Sequence, residues 1–291
     1  MTYSTQKPNT HTLCVSCPSA TGIIAAITSH LAGRGYFICE LSQYDDEDTK
    51  RFFMRCTFEV NSDSTDEASI LGPYFGAIAD RFGMAWNVHR TDRAKRVLLM
   101  VSKFDHCLRD LLYRWEAKEL NMHIVGIVSN HTMLEPMATR YGVPFHHLPV
   151  TKETKDAAEQ SLRELVNTQN VELVVLARYM QILSDSISRD LDGRCINIHH
   201  SFLPSFKGGS PYAQAHGRGV KLMGATAHYV TGDLDEGPII EQDVRRIDHR
   251  YSVTEMQAMG REVESGVLSR AVRMHLEDRI FRDGNKTIVF A

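Results

Sequence analysis

The sequence predicts an α/β protein in two units, a small βαββαβ unit followed by a larger strand–helix alternation. Three observations carry that reading. The first 90 residues order their apolar patterns as strand, helix, strand, strand, helix, strand. From residue 97 onward, continuous Val/Ile/Leu runs alternate with helical stripes. The 291-residue length leaves room for two domains, since a domain takes roughly 100–200 residues.

In the first unit, residues 12–17 read as a strand ended by Pro18. Thr21 precedes a helix over 22–32, where Ile23, Ile24, Ile27 and Leu31 form one apolar stripe. Residues 36–41 and 51–60 are strands, the second alternating Phe53, Arg55, Thr57 and Glu59 with Met54, Cys56 and Phe58. Asp45-Asp-Glu-Asp48 between them reads as a solvated hairpin tip. A helix over 64–82 and a strand over 84–89 complete a ferredoxin-like order. The charged stretch 90–96 is the expected linker.

In the second unit, strands are expected at 97–101, 124–128, 145–150, 171–177 and 195–199, then near 224–230 and 239–247. Helices are expected at 107–115, 133–141, 152–167 and 253–276. Continuous apolar strands separated by helices argue for a Rossmann-like parallel sheet covered on both faces. Ligands of such sheets bind beyond the carboxyl ends of the strands. That rule brings Ser102, Asn130, residues 177–181 and residues 197–201 to one rim. Asn130 there is a candidate substrate contact or a helix cap.

Composition narrows the function classes. A net charge of −3 with 24% charged residues gives no basic footprint for nucleic acid or an anionic membrane. No apolar run approaches the roughly 20 residues of a membrane span, and residues 1–12 lack a signal-peptide core, so a cytoplasmic location is expected. The six cysteines are read as free thiols, because a chain of this size needs no staples. Cys14 and Cys17 form a C-x-x-C, but within a strand and without a second ligand pair, against a redox or zinc role.

Chemistry concentrates in two segments. In Asn197-Ile-His-His-Ser-Phe-Leu-Pro, strand alternation puts Asn197 and His199 on one face. An amide donor beside an imidazole suits acyl chemistry, one polarising a carbonyl oxygen and the other moving protons. In Gly224-Ala-Thr-Ala-His-Tyr-Val, a strand opens into a loop holding Asp233, Asp235 and Glu236. A carboxylate from that loop would orient His199; spacing leaves the choice among the three open. His200 is expected on the opposite face in a structural role. The same geometry argues against one metal ion shared by His199, His200, His228 and Asp235.

These two segments resemble the paired signature of the 10-formyltetrahydrofolate-using formyltransferase fold. In detail, with Leu234-Asp-Glu-Gly-Pro-Ile-Ile, they are most similar to formyltetrahydrofolate deformylase. The resemblance spans nearly the whole chain. It implies an ACT-like regulatory or oligomerisation domain over 8–89 and a formyltransferase-type catalytic domain over 97–291. It also implies a homo-oligomer, tetramer or dimer. Its expected reaction is hydrolysis of 10-formyltetrahydrofolate to formate and tetrahydrofolate, with no permanently bound cofactor and no metal. By motif position, Asn197, His199 and Asp235 become the catalytic residues and His228 a supporting one. Tyr179, Met180, Gln181, Leu183, Val230, Thr231, Asp233 and Ser201 become substrate contacts. Pro18, Ser19 and Gly22 become an amino-acid effector turn.

The sequence departs from related patterns in three places. Residues 101–107, Val-Ser-Lys-Phe-Asp-His-Cys, contain no glycine, where transferases acting on a phosphorylated acceptor carry a glycine-rich phosphate loop. A phosphorylated acceptor thereby loses its expected site, which favours water; a formyltransferase with a non-phosphorylated acceptor is the alternative reading. An intact trio argues against a third reading, a non-catalytic folate or amino-acid sensor. Ala213 stands where the deformylases commonly have histidine, and Ser19 where the ACT turn commonly has an acid.

Overall fold

The computed structural model describes residues 9–60, 70–200 and 211–290. The start of the helix expected over 64–82, and the segment holding the expected contact Ser201, lie outside the described residues. The chain groups into two compact units, up to Arg93 and from Ala94, with the C-terminus divided between them.

The first unit contains β1 (Thr10–Pro18), α1 (Ile23–Gly33), β2 (Phe37–Asp46), β3 (Arg51–Glu59), α2 (Pro73–Phe82) and β4 (Ala85–Arg90). The strands form an antiparallel sheet in the order β2-β3-β1-β4, the ferredoxin-like arrangement expected. Leu13, Val15, Met54, Cys56 and Phe58 pack with Ile23, Ile27, Leu31 and Phe75 of the helices. Alternation along β3 would leave its other face to water, yet Phe53 and Arg55 are buried too. The chain's end covers them: Phe281 meets Phe53 edge-on, and Arg55 Nε donates to the Glu277 carbonyl at 3.2 Å. Residues 277–281 and those from 288 onward therefore group with this unit. The acidic run is exposed at Asp45, Glu47 and Asp48, as a solvated tip requires, and departs from that only at Asp46. Asp45 and Asp46 end β2, and buried Asp46 accepts backbone N–H bonds from Asp48 and Thr49, closing the turn.

The second unit has a seven-stranded sheet in the order β11-β10-β9-β8-β5-β6-β7. Its strands are β5 (Lys95–Val101), β6 (Met122–Ser129), β7 (Phe145–His147), β8 (Leu173–Leu176), β9 (Cys195–His199), β10 (Leu222–Tyr229) and β11 (Ile239–Arg246). Lys95 and Arg96, expected in the linker, belong to β5. Strands β5 to β9 pair in parallel, as their continuous apolar runs require. The sheet is mixed, however, because β10 pairs antiparallel with both β9 and β11. Only residues 230–238 join β10 to β11, too few for the dozen or more a parallel crossover needs.

Helices α3 (His106–Glu116), α4 (Glu135–Arg140), α5 (Lys155–Thr168), α6 (Asp185–Asp190), α7 (Pro211–Gly217) and α8 (Val253–Leu276) accompany the sheet. Among the described residues, no helix is long and apolar enough to cross a membrane.

Near the end of α8, His275 is half-buried, its Nδ1 2.8 Å from the Tyr229 hydroxyl. Burial first, then the charge of Lys95, hold its imidazole down from 6.5 to about 3. The unfolded chain therefore binds a proton below pH 6.5 that the folded chain refuses. Stability falls as pH drops through that window, by about 1.4 kcal/mol per pH unit for one such group. Urea unfolding between about pH 7 and 5 should show this slope, and His275→Gln should flatten it; an unchanged slope would assign the pH dependence to other groups.

Candidate active site

Asn197 and His199 leave β9 on the same face and line a cleft of about 240 Å³. Antiparallel pairing sets His228 of β10 opposite Asn197, and Thr226 opposite His199. The chain then turns through residues 230–238, and that turn is pinned at both ends. Val230 N–H donates to the Cys195 carbonyl at 2.8 Å, and Tyr229 N–H to the Pro238 carbonyl at 3.0 Å. Gly237 lies so close to the Tyr229 carbonyl that a Cβ would stand 1.7 Å from its oxygen. Only glycine closes this loop. Within it, Asp235 adopts a left-handed φ of 58°, a conformation aspartate tolerates better than most residues.

The result is a compact polar cluster. His199 Nδ1 is 3.1 Å from Asp235 Oδ2, and His228 Nε2 is 3.6 Å from Asp235 Oδ1. Asn197 Nδ2 donates to Asp235 Oδ1 at 3.4 Å and lies 3.3 Å from His228 Nε2. His228 Nδ1 faces the Tyr229 carbonyl at 2.9 Å and must donate there, which leaves Nε2 as the acceptor in the neutral ring. Burial alone would raise the Asp235 carboxyl. The hydrogen bond from His199 outweighs it and holds the group well below the usual carboxylate range. Asp235 is thus an anion at any working pH.

Of the expected contacts, Tyr179, Met180, Gln181 and Leu183 line one wall of the cleft, and Val230, Thr231 and Asp233 the other. The first wall begins at Arg178, also left-handed with φ 65°, which swings residues 179–183 over the rim. Asn130 stands apart from the cleft. It follows β6, separated from β9 by β5 and β8, and caps no helix, since α4 starts from Leu134. Instead its Oδ1 accepts from Ser102 Oγ at 2.7 Å, and Ser102 Oγ accepts from Met180 N–H at 2.9 Å. In the first unit, Gly22 supplies the left-handed turn before α1 with φ 95°. Pro18 ends β1, while Ser19 bonds through its backbone to Lys50 and through its hydroxyl to Asp45.

His200 differs from expectation. Strand β9 ends at His199, so face alternation lapses. The two rings stack, with centroids 4.9 Å apart and planes at 21°. His200 thus borders the cleft. Spacing also gave no view of the group behind it: Arg178, Glu264, His106 and Tyr212. Glu264 is almost completely buried, within 3.3 Å of Arg178 Nε, 2.7 Å of His106 Nε2 and 2.8 Å of the Tyr212 hydroxyl. A glutamate on the apolar stripe of α8, between Gly260 and Leu268, was the available sign. His106, Cys107 and Glu264 also offer three donor atoms within 4.8 Å of one another. The Arg178 guanidinium already neutralises that carboxylate, and burial pushes the Cys107 thiol far up. This donor set does not favour a cation.

Comparison with known proteins gives a consistent family. Residues 95–272 match the family model described as Formyl transferase. A formyltetrahydrofolate deformylase from Corynebacterium sp. (strain P-1) is 48% identical, over 96% of this chain and 97% of its own. One from Bacillus subtilis (strain 168) is 44% identical over 96% and 93%. The crystal structure of formyltetrahydrofolate deformylase from Burkholderia mallei, 50% identical, has a TM-score of 0.92 and covers 98% of this chain and 100% of that one.

The Ser102 bridge has a measurable consequence for the first wall. Ser102→Ala leaves Asn130 and the Met180 N–H without this partner, and removal of such a buried bond costs about 1–3 kcal/mol. Urea denaturation should show that loss, with faster amide exchange at Met180; unaltered stability would remove the bridge from the account.

Proposed function

The chain belongs to the formyltetrahydrofolate deformylases, which hydrolyse 10-formyltetrahydrofolate to formate and tetrahydrofolate, and we propose that Asn197, His199 and Asp235 carry that reaction here. The observation behind this assignment is the convergence of the three side chains, from β9 and the 230–238 loop, within 3.1–3.4 Å steps at one end of the cleft.

In this reading the three residues divide the roles. Asp235, held ionised, takes the His199 Nδ1–H and fixes the ring so that Nε2 carries the lone pair. His199 Nε2 removes a proton from water as it attacks the formyl carbon. The carbonyl oxygen becomes an oxyanion, and the Asn197 amide hydrogen that otherwise makes the long 3.4 Å bond to Asp235 turns to it and stabilises it. When the C–N bond breaks, His199 returns the proton to N10 of the leaving tetrahydrofolate. His228, donating to its own strand and accepting from Asn197, keeps the amide turned toward the reacting carbon. The pterin in this reading occupies the space between residues 179–183 and 230–235, which line the cleft.

The first unit reads as an ACT-like domain ending with β4, and the unit that begins with β5 reads as the catalytic domain. In this reading the first unit regulates activity and builds a homo-oligomer, tetramer or dimer. The turn at Pro18, Ser19 and Gly22 is its amino-acid effector site. The cytoplasm suits six cysteines that all stand as free thiols.

Asn197→Ala should lower kcat by about 10²–10³ without loss of the folded state, the usual effect of deleting one oxyanion donor. Formate release with water as the sole acceptor measures it; near wild-type turnover would remove Asn197 from the reaction. In the parent protein, no formate without an added amine would favour a transferase. The same assay with methionine or glycine tests the effector turn.

A further inference from the structure

A buried ion pair stands behind the reacting trio and has no part in the hydrolysis as described. Arg178 Nη1 is 3.0 Å from His200 Nδ1. A guanidinium has no acceptor and keeps its proton, so Nδ1 must be the accepting atom. A neutral imidazole that accepts at Nδ1 carries its one hydrogen on Nε2. Arg178 is itself held: its side chain is 11% exposed, and the carboxylate of Glu264, 2% exposed, lies 3.3 Å from its Nε as an ion pair outside hydrogen-bond geometry. Tyr212 and His106 fill the rest of the Glu264 carboxylate. Gly260 makes this possible, since a Cβ there would stand 2.0 Å from the Tyr212 hydroxyl.

We propose that Arg178, braced by Glu264, is a positioning residue that fixes His200 as a neutral Nε2–H donor at the cleft, leaving His199 as the one imidazole of the stacked pair that exchanges protons. The proposal rests on His199 being the acid–base group. Burial and the charges of Arg178 and His199 oppose a proton on His200, while Glu264 and Asp235 favour it. The first set prevails and brings His200 down to about 4. The Tyr212 ring, 6.4 Å from His200, adds no charge, because burial and Glu264 push its hydroxyl far up. Stacked imidazoles without this arrangement would compete for the proton taken from water, and a cation on His200 would disfavour one on His199.

Long-range proton–nitrogen spectra of the histidine rings test the tautomer, with His200→Gln assigning the signals. A single neutral Nε2–H form from about pH 5.5 to 7.5 is expected. A neutral Nδ1–H form, or titration within that range, overturns the proposal. The double variant Arg178→Met/Glu264→Gln removes the guanidinium without stranding a carboxylate. Its His200 should titrate within that range, and kcat should fall about 10–100-fold near pH 6 and less near pH 8, with KM nearly unchanged. A double variant with parental kcat at both pH values overturns the proposal, as does equal loss at both. If circular dichroism shows it unfolded, the parental tautomer decides alone. His199→Gln tests the premise separately: retained turnover there refutes the acid–base role of His199 whatever the His200 tautomer.

Discussion

The antiparallel seam between β9 and β10 is the contact on which the site depends. Every other strand pair inward from β9 is parallel, and a parallel neighbour would deliver its loop to the same rim only after a long crossover. Antiparallel pairing instead places His228 opposite Asn197 and returns the chain through a short loop beside its own strand. Asp235 is thereby carried to His199 by local geometry. Gly237 and the left-handed backbone at Asp235 are the conformational requirements of that return, strain of the kind that collects where function fixes a side chain.

Two anions are buried or half-buried around the cleft, and each is handled by different partners. Asp235 is balanced by imidazoles, whose charge can change during a reaction. Glu264 is balanced by a guanidinium, whose charge cannot. Arg178 joins the two systems, since it bonds His200 and also begins the loop that walls the cleft. Breaking a buried pair of this kind typically costs 3–5 kcal/mol, because one charge is left without a partner. The pair thus couples the local fold to the electrostatics of the stacked histidines.

The cleft walls are likewise held from outside the cleft. Ser102 accepts from Met180 N–H and donates to Asn130, so the glycine-free segment after β5 is used to anchor the 179–183 wall. This gives those residues a structural purpose beside the argument that they provide no phosphate cradle. A deformylase needs its folate held while water reaches the formyl carbon, and rigid walls with a polar end meet both needs.

The sequence by itself determined the order of the main strands and helices and the shared face of Asn197 and His199; the short helices α6 and α7 and the strand pair Ile280–Asp283 and Lys286–Val289 left no periodic signal in it. What it determined rests on local rules: apolar periodicity, strand alternation and the contrast between alternating and continuous runs. Tertiary structure alone decided which acid of the 230–238 loop meets His199, that Asn130 accepts from Ser102, and that His200 faces His199. It also decided the network of residues 106, 178, 200, 212 and 264, drawn from five separate segments. The physical reason is common to all of these. Such contacts depend on strand order and on where a strand stops, and neither is encoded in the period of a single segment.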